Sequence, residues 1–237
     1  MSRPSAKQNW NFHGGDLAER RAEEKMRRRT EVLNAAEIIA GADGWDALTI
    51  VKVARRARLS RALVYLYFRD KGDLLLGIRD RAIEMLARQM AEAAAQEATG
   101  ILQLQAVVRA SAAFVESHGI HFDALLRSEI LSLERASRGS GDFLGSKGEP
   151  CRRVLAKVIA AGVIDGSIGA GVGDPRVAAA VLWRFIYGLL QLGAGRTSPV
   201  ARKSTALRPL LGQALELIRN SVARAPTVGS AAPVLPA

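Results

Sequence analysis

The sequence predicts an all-α fold, and three observations support this prediction. Apolar residues recur at every third or fourth position from about Met26 to Asn220, which is the spacing of a helix face. No segment alternates β-branched or aromatic residues with polar ones, as a half-buried strand would. Capping residues, prolines and glycines stand where the apolar segments begin and end. A chain of 237 residues can hold one larger helical domain or two small ones.

Three helices are predicted between residues 27 and 72. The first carries helically spaced apolar residues and ends at Asp43–Gly44. Thr49 can cap a second helix through about Ala57, and Ser60 can cap a short third helix through about Phe68. Two short helices separated by a four-residue interruption form a helix-turn-helix pattern.

Longer helices are predicted in the rest of the folded region, at residues 73–96, 101–117, 121–136, 149–163, 174–192 and 205–220. Pro150 and Pro175 stand at first-turn positions, where the missing N–H costs no hydrogen bond. Residues 1–26 read as a mobile basic arm that becomes helical after Asp16. Residues 223–237 contain three prolines among small residues, so we expect a disordered tail there.

Composition excludes several classes of protein. The N-terminus is polar and Arg-rich, so it is not a secretory signal peptide. The most apolar segment, Val177 to Leu192, contains Arg184 and is shorter than the roughly 20 residues of a membrane span. The single cysteine, Cys151, excludes an internal disulfide framework. We therefore expect a soluble cytoplasmic protein with no membrane partner.

Positive charge is concentrated on the helix-turn-helix pattern. The formal net charge of the chain is +11, and residues 49–71 hold seven basic side chains and one acidic side chain. A charge run by itself could be a solvated helical hairpin. Here the charge coincides with two caps, a turn and a consistent apolar face, and this combination favours binding to the phosphates of double-stranded DNA.

The predicted third helix has the size and polarity of a helix that enters the major groove. Arg61 can donate two hydrogen bonds to guanine, and Leu63 or Leu66 can contact a thymine methyl group. Tyr65 and Lys71 suit phosphate oxygens, as do the free N–H groups at Thr49. The complete set of candidate DNA-binding residues is Thr49, Lys52, Ser60, Arg61, Ala62, Leu63, Tyr65, Leu66, Tyr67 and Lys71.

The segment from Thr49 to Leu74 resembles the DNA-binding domain of the TetR family of transcriptional regulators. The resemblance lies chiefly in Tyr65-x-Tyr67-Phe68-x-x-Lys71-x-x-Leu74, together with Ala54-x-x-Ala57 and Leu59-Ser60. It implies a 27–72 helix-turn-helix domain followed by a 73–222 ligand-binding and dimerisation domain. It also implies a homodimer through helices 174–192 and 205–220. Such a dimer would be a repressor that binds a palindromic operator and is released by a small-molecule effector.

Three positions depart from the family pattern. Gly72 replaces a commonly acidic or polar residue and slightly weakens the start of the next helix. Arg58 stands in the turn where the family usually has glycine, so it would adopt a left-handed conformation at a cost of roughly 1–2 kcal/mol. Leu63 stands where the family often has a small or hydroxylated residue, so base recognition is expected to be unusual.

The effector site is harder to predict. Candidate ligand-binding residues are the aromatic and polar side chains of residues 101–192, namely Phe114, His118, Phe122, Trp183, Arg184 and Tyr187. Arg184 lies within an apolar helix, where it could bind an anionic effector. It could equally form an ion pair at an interface or extend its charge to solvent along an apolar surface.

No cofactor, metal site or enzyme activity is predicted. His118 and His121 have a metal-ligand spacing, but Gly119 interrupts the helix and no third ligand is nearby, so ordinary structural histidines are favoured. Arg152 and Arg153 could lower the pKa of Cys151 and make it a redox sensor, although a small structural residue is the simpler interpretation. A helical enzyme and a carrier or membrane-surface protein remain the alternative functions; the first would need a catalytic set that the sequence lacks.

Overall fold

The structure, a computed structural model, describes residues 14–136, 148–193 and 207–222. Within these ranges it contains helices and no strand, which confirms the all-α prediction. The α-helices, in chain order, are α1 Gly14–Asp43, α2 Ile50–Ala57, α3 Arg61–Tyr67, α4 Lys71–Ala94, α5 Gly100–Ser117, α6 Gly119–Ala136, α7 Glu149–Asp165, α8 Pro175–Gly193 and α9 Leu207–Val222. Among the described helices, none combines the length and the apolarity that a membrane crossing requires.

The chain divides into two compact units, Met1–Leu74 and Leu75–Ala237. In the first unit, α1, α2 and α3 enclose a small core of fully buried apolar side chains, among them Val32, Ala36, Leu48, Val53, Val64 and Phe68. Trp45 lies in a short 3-10 helix after α1 and is also buried, as expected for a core residue of this unit. This core fixes the orientation of α3 relative to α2.

Helix α1 is longer than the predicted first helix. It begins at Gly14 and runs for 30 residues without a break, so the second half of the 1–26 segment is continuous with it. The predicted helix after Asp16 is therefore present, and residues 1–13 lie outside the described part of the chain. The described side chains from Leu17 to Arg27 are all exposed, because no other element of the first unit covers this part of α1.

The second unit is a helical bundle in which α7 packs against both α5 and α8. Its core contains fully buried large side chains from five helices, including Leu86, Met90, Leu104, Phe114, Phe122, Leu155 and Ile186. Burying side chains of this size contributes about 1.5–3 kcal/mol each to folding.

Helices α5 and α7 cross at two glycines. A Cβ atom placed on Gly100 would lie 2.1 Å from the Cα atom of Gly162, so Gly100 allows the two backbones to approach closely. A Cβ atom on Gly162 would instead lie 2.5 Å from the side chain of Ile168. The carboxylate of Asp165 accepts a hydrogen bond from the amide of Gly100 at 2.7 Å. The Ser167 side chain and the amides of Gly100 and Ser167 hold the pKa of Asp165 below its usual value. These bonds join the end of α7 to the start of α5.

Several helix boundaries differ from the predictions by a few residues. Helix α4 begins at Lys71 rather than Asp73, because the Asp70 carboxylate accepts a hydrogen bond from the Asp73 amide at 2.8 Å and acts as the cap. Helix α7 continues to Asp165, where Gly166 adopts a left-handed conformation and ends it. Most of the predicted 139–148 loop, the 193–198 loop and the 223–237 tail lie outside the described residues.

Candidate nucleic-acid interface and ligand cleft

The two predicted caps of the helix-turn-helix pattern are present. The Thr49 hydroxyl accepts a hydrogen bond from the Lys52 amide at 3.2 Å, and the Ser60 hydroxyl accepts one from the Leu63 amide at 3.1 Å. Both caps satisfy amide groups that would otherwise have no partner at a helix start. They therefore fix the first turns of α2 and α3, from which the candidate DNA contacts extend.

The turn between α2 and α3 has the left-handed conformation that the sequence predicted at Arg58. Its φ is 56° and its ψ is 38°, and it is the one non-glycine residue with positive φ in the described part of the chain. The amide of Leu59 donates to the carbonyl of Ala54 at 2.9 Å, which closes the end of α2. The exposed guanidinium of Arg58 lies on the surface of the turn.

Helix α3 has one buried face and one exposed face. Val64 and Phe68 are 0% and 1% exposed and anchor the helix in the core. Arg61 and Ala62 are exposed, Tyr65 is 54% exposed and Leu66 is 78% exposed, while Leu63 and Tyr67 are partly buried. Of the candidate DNA contacts on α3, Arg61, Ala62, Tyr65 and Leu66 are thus exposed, whereas Leu63 and Tyr67 are only partly so.

The cations around α3 differ in their partners. Lys52 lies 3.9 Å from Asp43, and Arg69 donates to Asp73 at 2.8 Å, so each is paired within the unit. Arg61 and Lys71 are exposed and make no ion pair among the described residues. Their positive charge is therefore available to an external anion.

Three of the six candidate ligand residues lie together in the second unit. Trp183, Arg184 and Tyr187 of α8 line a small, partly open cleft with an internal volume of about 20 Å³, close to that of one water molecule. The cleft is also lined by residues from α4, α6 and the start of α7, which the sequence did not indicate: Arg79, Ile83, Leu125, Ser128, Glu129 and Gly148. No local pattern links these positions, because they come from distant parts of the chain.

The cleft is lined by two aromatic rings and by three charged side chains, those of Arg79, Glu129 and Arg184. The rings of Trp183 and Tyr187 lie 5.7 Å apart, and burial raises the pKa of Tyr187, which keeps its phenol neutral. Arg184 lies 3.5 Å from Glu129, so its charge is paired rather than free. Gly148 packs against the indole with a φ of 78°, and a Cβ atom there would lie 2.5 Å from Nε1 of Trp183.

The other candidate ligand residues do not line this cleft. Phe114 and Phe122 are buried in the core, and His118 stacks on Phe114 with ring centroids 4.6 Å apart. The rings of His118 and His121 are 6.0 Å apart. The described residues contain no cluster of three or more side chains that could hold a metal ion.

The redox-sensor interpretation of Cys151 is wrong. Its thiol is fully buried, and burial raises its pKa to about 12 despite the neighbouring Arg152. The reactive thiolate is therefore nearly absent at neutral pH. Cys151 is a small core residue in the first turn of α7.

Helix α8 presents an apolar stripe on its outer face. Val177, Val181 and Phe185 are spaced four residues apart and are 63%, 68% and 40% exposed. Leu217 of α9, a helix that packs against α8, is 51% exposed. The apolar side chains of α8 are spaced along one helix face and are left uncovered by the described part of the chain.

Comparisons with known proteins identify the N-terminal region. Residues 32–78 match the family model described as bacterial regulatory proteins, tetR family. The HTH-type transcriptional regulator HbdR of Aromatoleum sp. (strain CIB) is 40% identical over 48 residues, which are 20% of this chain and 21% of that protein. The chain thus spans about a fifth of the length of this curated relative.

Two solved structures share the fold over most of the chain. A protein of unknown function from Rhodococcus sp. RHA1 has a TM-score of 0.63 at 20% identity, covering 83% of this chain and 96% of that one. The regulator FadR from Bacillus subtilis, solved with stearoyl-CoA, has a TM-score of 0.57 at 19% identity, covering 80% and 96%. HbdR and FadR are named as transcriptional regulators rather than enzymes.

Proposed function

The N-terminal domain of this chain belongs to the TetR family of bacterial regulatory proteins, and on this premise we propose that the whole protein is a homodimeric, ligand-responsive transcriptional repressor. The observation that carries the proposal is the exposure of Arg61 and Tyr65 on α3, while Val64 and Phe68 hold the same helix in the core. To recognise base edges in the major groove, a helix has to be exposed, carry basic side chains and be held in place by the core.

Each exposed group has a distinct role in the proposed complex. Arg61, at the N-terminus of α3, donates to a guanine edge, and the apolar Leu66 contacts a thymine methyl group. Tyr65 and Lys71 donate to phosphates and set the position of α3 without reading sequence. The amides at the start of α2, near Thr49, supply a further phosphate contact.

The apolar stripe of α8 supports a homodimer. A second copy of the chain, packed through α8 and α9, would cover Val177, Val181 and Phe185. A symmetric dimer binds two half-sites related by inversion, about 34–36 Å apart, so that both α3 helices enter successive major grooves. The operator is therefore expected to be an inverted repeat.

The cleft beside Trp183 is the proposed effector site. Its lining is largely apolar and includes three charged side chains, and its volume of about 20 Å³ means that an effector has to widen it on binding. An effector that binds better to one arrangement of the dimer shifts the population toward it and lowers operator affinity. The B. subtilis FadR structure with stearoyl-CoA is an example of a protein of this fold in complex with a small molecule.

The proposal is tested by selecting preferred duplexes from a random DNA library and measuring their affinity by fluorescence anisotropy. We expect an inverted repeat to be selected. Arg61→Ala should weaken binding to the selected duplex by about 1–3 kcal/mol and relax the preference at one base position of each half-site.

The matched control is Arg88→Ala, which removes an exposed arginine from α4 in the second unit and should leave base preference unchanged. Failure of the wild-type protein to select any sequence over random duplex would contradict the proposal. Equal effects of the two substitutions would contradict the role of Arg61.

A further inference from the structure

The N-terminal part of α1 extends beyond the core of the first unit. From Leu17 to Arg27 no described side chain is buried, and both Leu17 and Met26 are more than half exposed, at 57% and 62%. Isolated helices of this length are marginally stable in water, and helices in proteins are usually held by packing. This part of α1 therefore has a surface that nothing in the described chain covers.

Charge divides this surface into two parts. Arg27 and Arg28 are bound to Glu24 and Glu31 at distances of 2.6 to 3.3 Å. Hydrogen bonds from Arg27 and then Arg28 lower the pKa of Glu24, which keeps the network ionised. Arg21 and Lys25 take no part in it and make no ion pair among the described residues.

Arg21 and Lys25 lie on one stripe that leads to the end of α3. The stripe continues at the same four-residue spacing to Arg29, whose guanidinium lies 4.7 Å from the ring centre of Phe68. Phe68 caps the C-terminal end of α3. From Arg29 back to Leu17 the stripe covers about 18 Å at the rise of an α-helix.

A groove separates this stripe from α3. It has a volume of about 470 Å³, with Leu17, Arg20, Arg21, Glu24 and Lys25 on one wall and Leu66 and Tyr67 on the other. Leu66 is 78% exposed and belongs to the proposed DNA surface. The groove is thus continuous with that surface, and its walls hold three cations against one carboxylate.

We propose that this groove binds the sugar-phosphate backbone of the DNA strand that flanks each half-site, with Arg21 and Lys25 each donating to a phosphate. The inference rests on the proposed DNA-binding function and extends the footprint beyond α2 and α3. Charge complementarity and continuity with α3 favour DNA over another occupant. The contacts would raise affinity for any sequence, because phosphates are the same at every base pair.

The test is the salt dependence of binding to a random-sequence duplex of about 30 base pairs, roughly three helical turns. The full-length double variant Arg21→Gln, Lys25→Gln should reduce the slope of log affinity against log salt by about 2. Its affinity at moderate salt should fall roughly tenfold or more. Glutamine preserves helix propensity, and far-UV circular dichroism checks that the helix content is retained.

The matched control is Arg153→Gln, Lys157→Gln, which removes two exposed cations at the same spacing from α7. The charge-preserving exchange Arg21→Lys, Lys25→Arg should keep the wild-type slope. An unchanged slope in the Arg21 and Lys25 variant, or an equal change in the α7 control, would overturn this inference alone. If the wild-type protein binds no duplex, the proposed function fails as well.

Discussion

Arg58 adopts a left-handed backbone conformation, which is unfavourable for a residue with a side chain. The turn after α2 needs a left-handed residue, and an arginine occupies it with a φ of 56°. A Cβ atom makes this conformation less favourable by roughly 1–2 kcal/mol. The cost was foreseeable from sequence, because it follows from the type of residue at a single turn position.

Replacing Arg58 with glycine should therefore stabilise the first unit. We expect Arg58→Gly to raise the free energy of unfolding by about 1 kcal/mol, measured by chemical denaturation. Arg56→Gly is the control, since it places glycine inside α2 and should lower stability by about 1 kcal/mol. Destabilisation by Arg58→Gly would contradict the left-handed turn described above. A smaller slope of log DNA affinity against log salt concentration in this variant would show that Arg58 also contacts a phosphate.

Other features of single residues could be predicted where they depend on sequence neighbours, and could not where they depend on residues far away in the sequence. The caps at Thr49 and Ser60 were predicted correctly because each depends on an amide three residues away. The partner of Arg184 was not predicted, because Glu129 lies 55 positions earlier in the sequence and no spacing rule connects them.

At the scale of elements, periodicity and capping residues located every described α-helix but not the short 3-10 helix at Trp45. The errors lie at the ends: the start of α4 was placed at Asp73, although Asp70 provides the cap. The length of α1 was underestimated, since an exposed helix carries no apolar stripe to mark it. The crossing of α5 and α7 could not be predicted, because it depends on which two glycines meet in three dimensions.

That crossing makes Gly100 intolerant of any side chain. Gly100→Ala would place a methyl group 2.1 Å from the Cα atom of Gly162, so the two helices have to separate. We expect a loss of about 1–3 kcal/mol in the free energy of unfolding, measured by thermal or chemical denaturation. Gly119→Ala, where a Cβ atom meets open space, should change stability much less. Equal effects of the two substitutions would contradict the close approach.

At the scale of the whole molecule, the two units carry the two halves of the proposed regulatory cycle. The helices, caps and exposed face of the first unit were readily predicted, because they depend on residues close together in the sequence. In the second, only three of the six candidate ligand residues line the cleft. Aromatic residues in helices serve the core as often as a site, and sequence alone does not separate the two uses.

The proposed dimer predicts that a charge on the outer stripe of α8 prevents association. Val181→Glu should give a monomer by light scattering, with about half the wild-type mass, and should lose tight binding to an inverted repeat. Ile164→Glu is the control, since Ile164 is 87% exposed at the end of α7 and lies outside this stripe. A dimer that persists in the Val181 variant would place the interface elsewhere.

The indole of Trp183, which packs against Gly148, gives the second unit an intrinsic fluorescence signal. The ring is buried at 4% exposure yet borders the cleft, so a molecule that enters changes the polarity around it and hence its fluorescence. The other two tryptophans of the chain, Trp10 and Trp45, add a background emission. Libraries of compounds can therefore be screened on unlabelled protein, before any operator sequence is known.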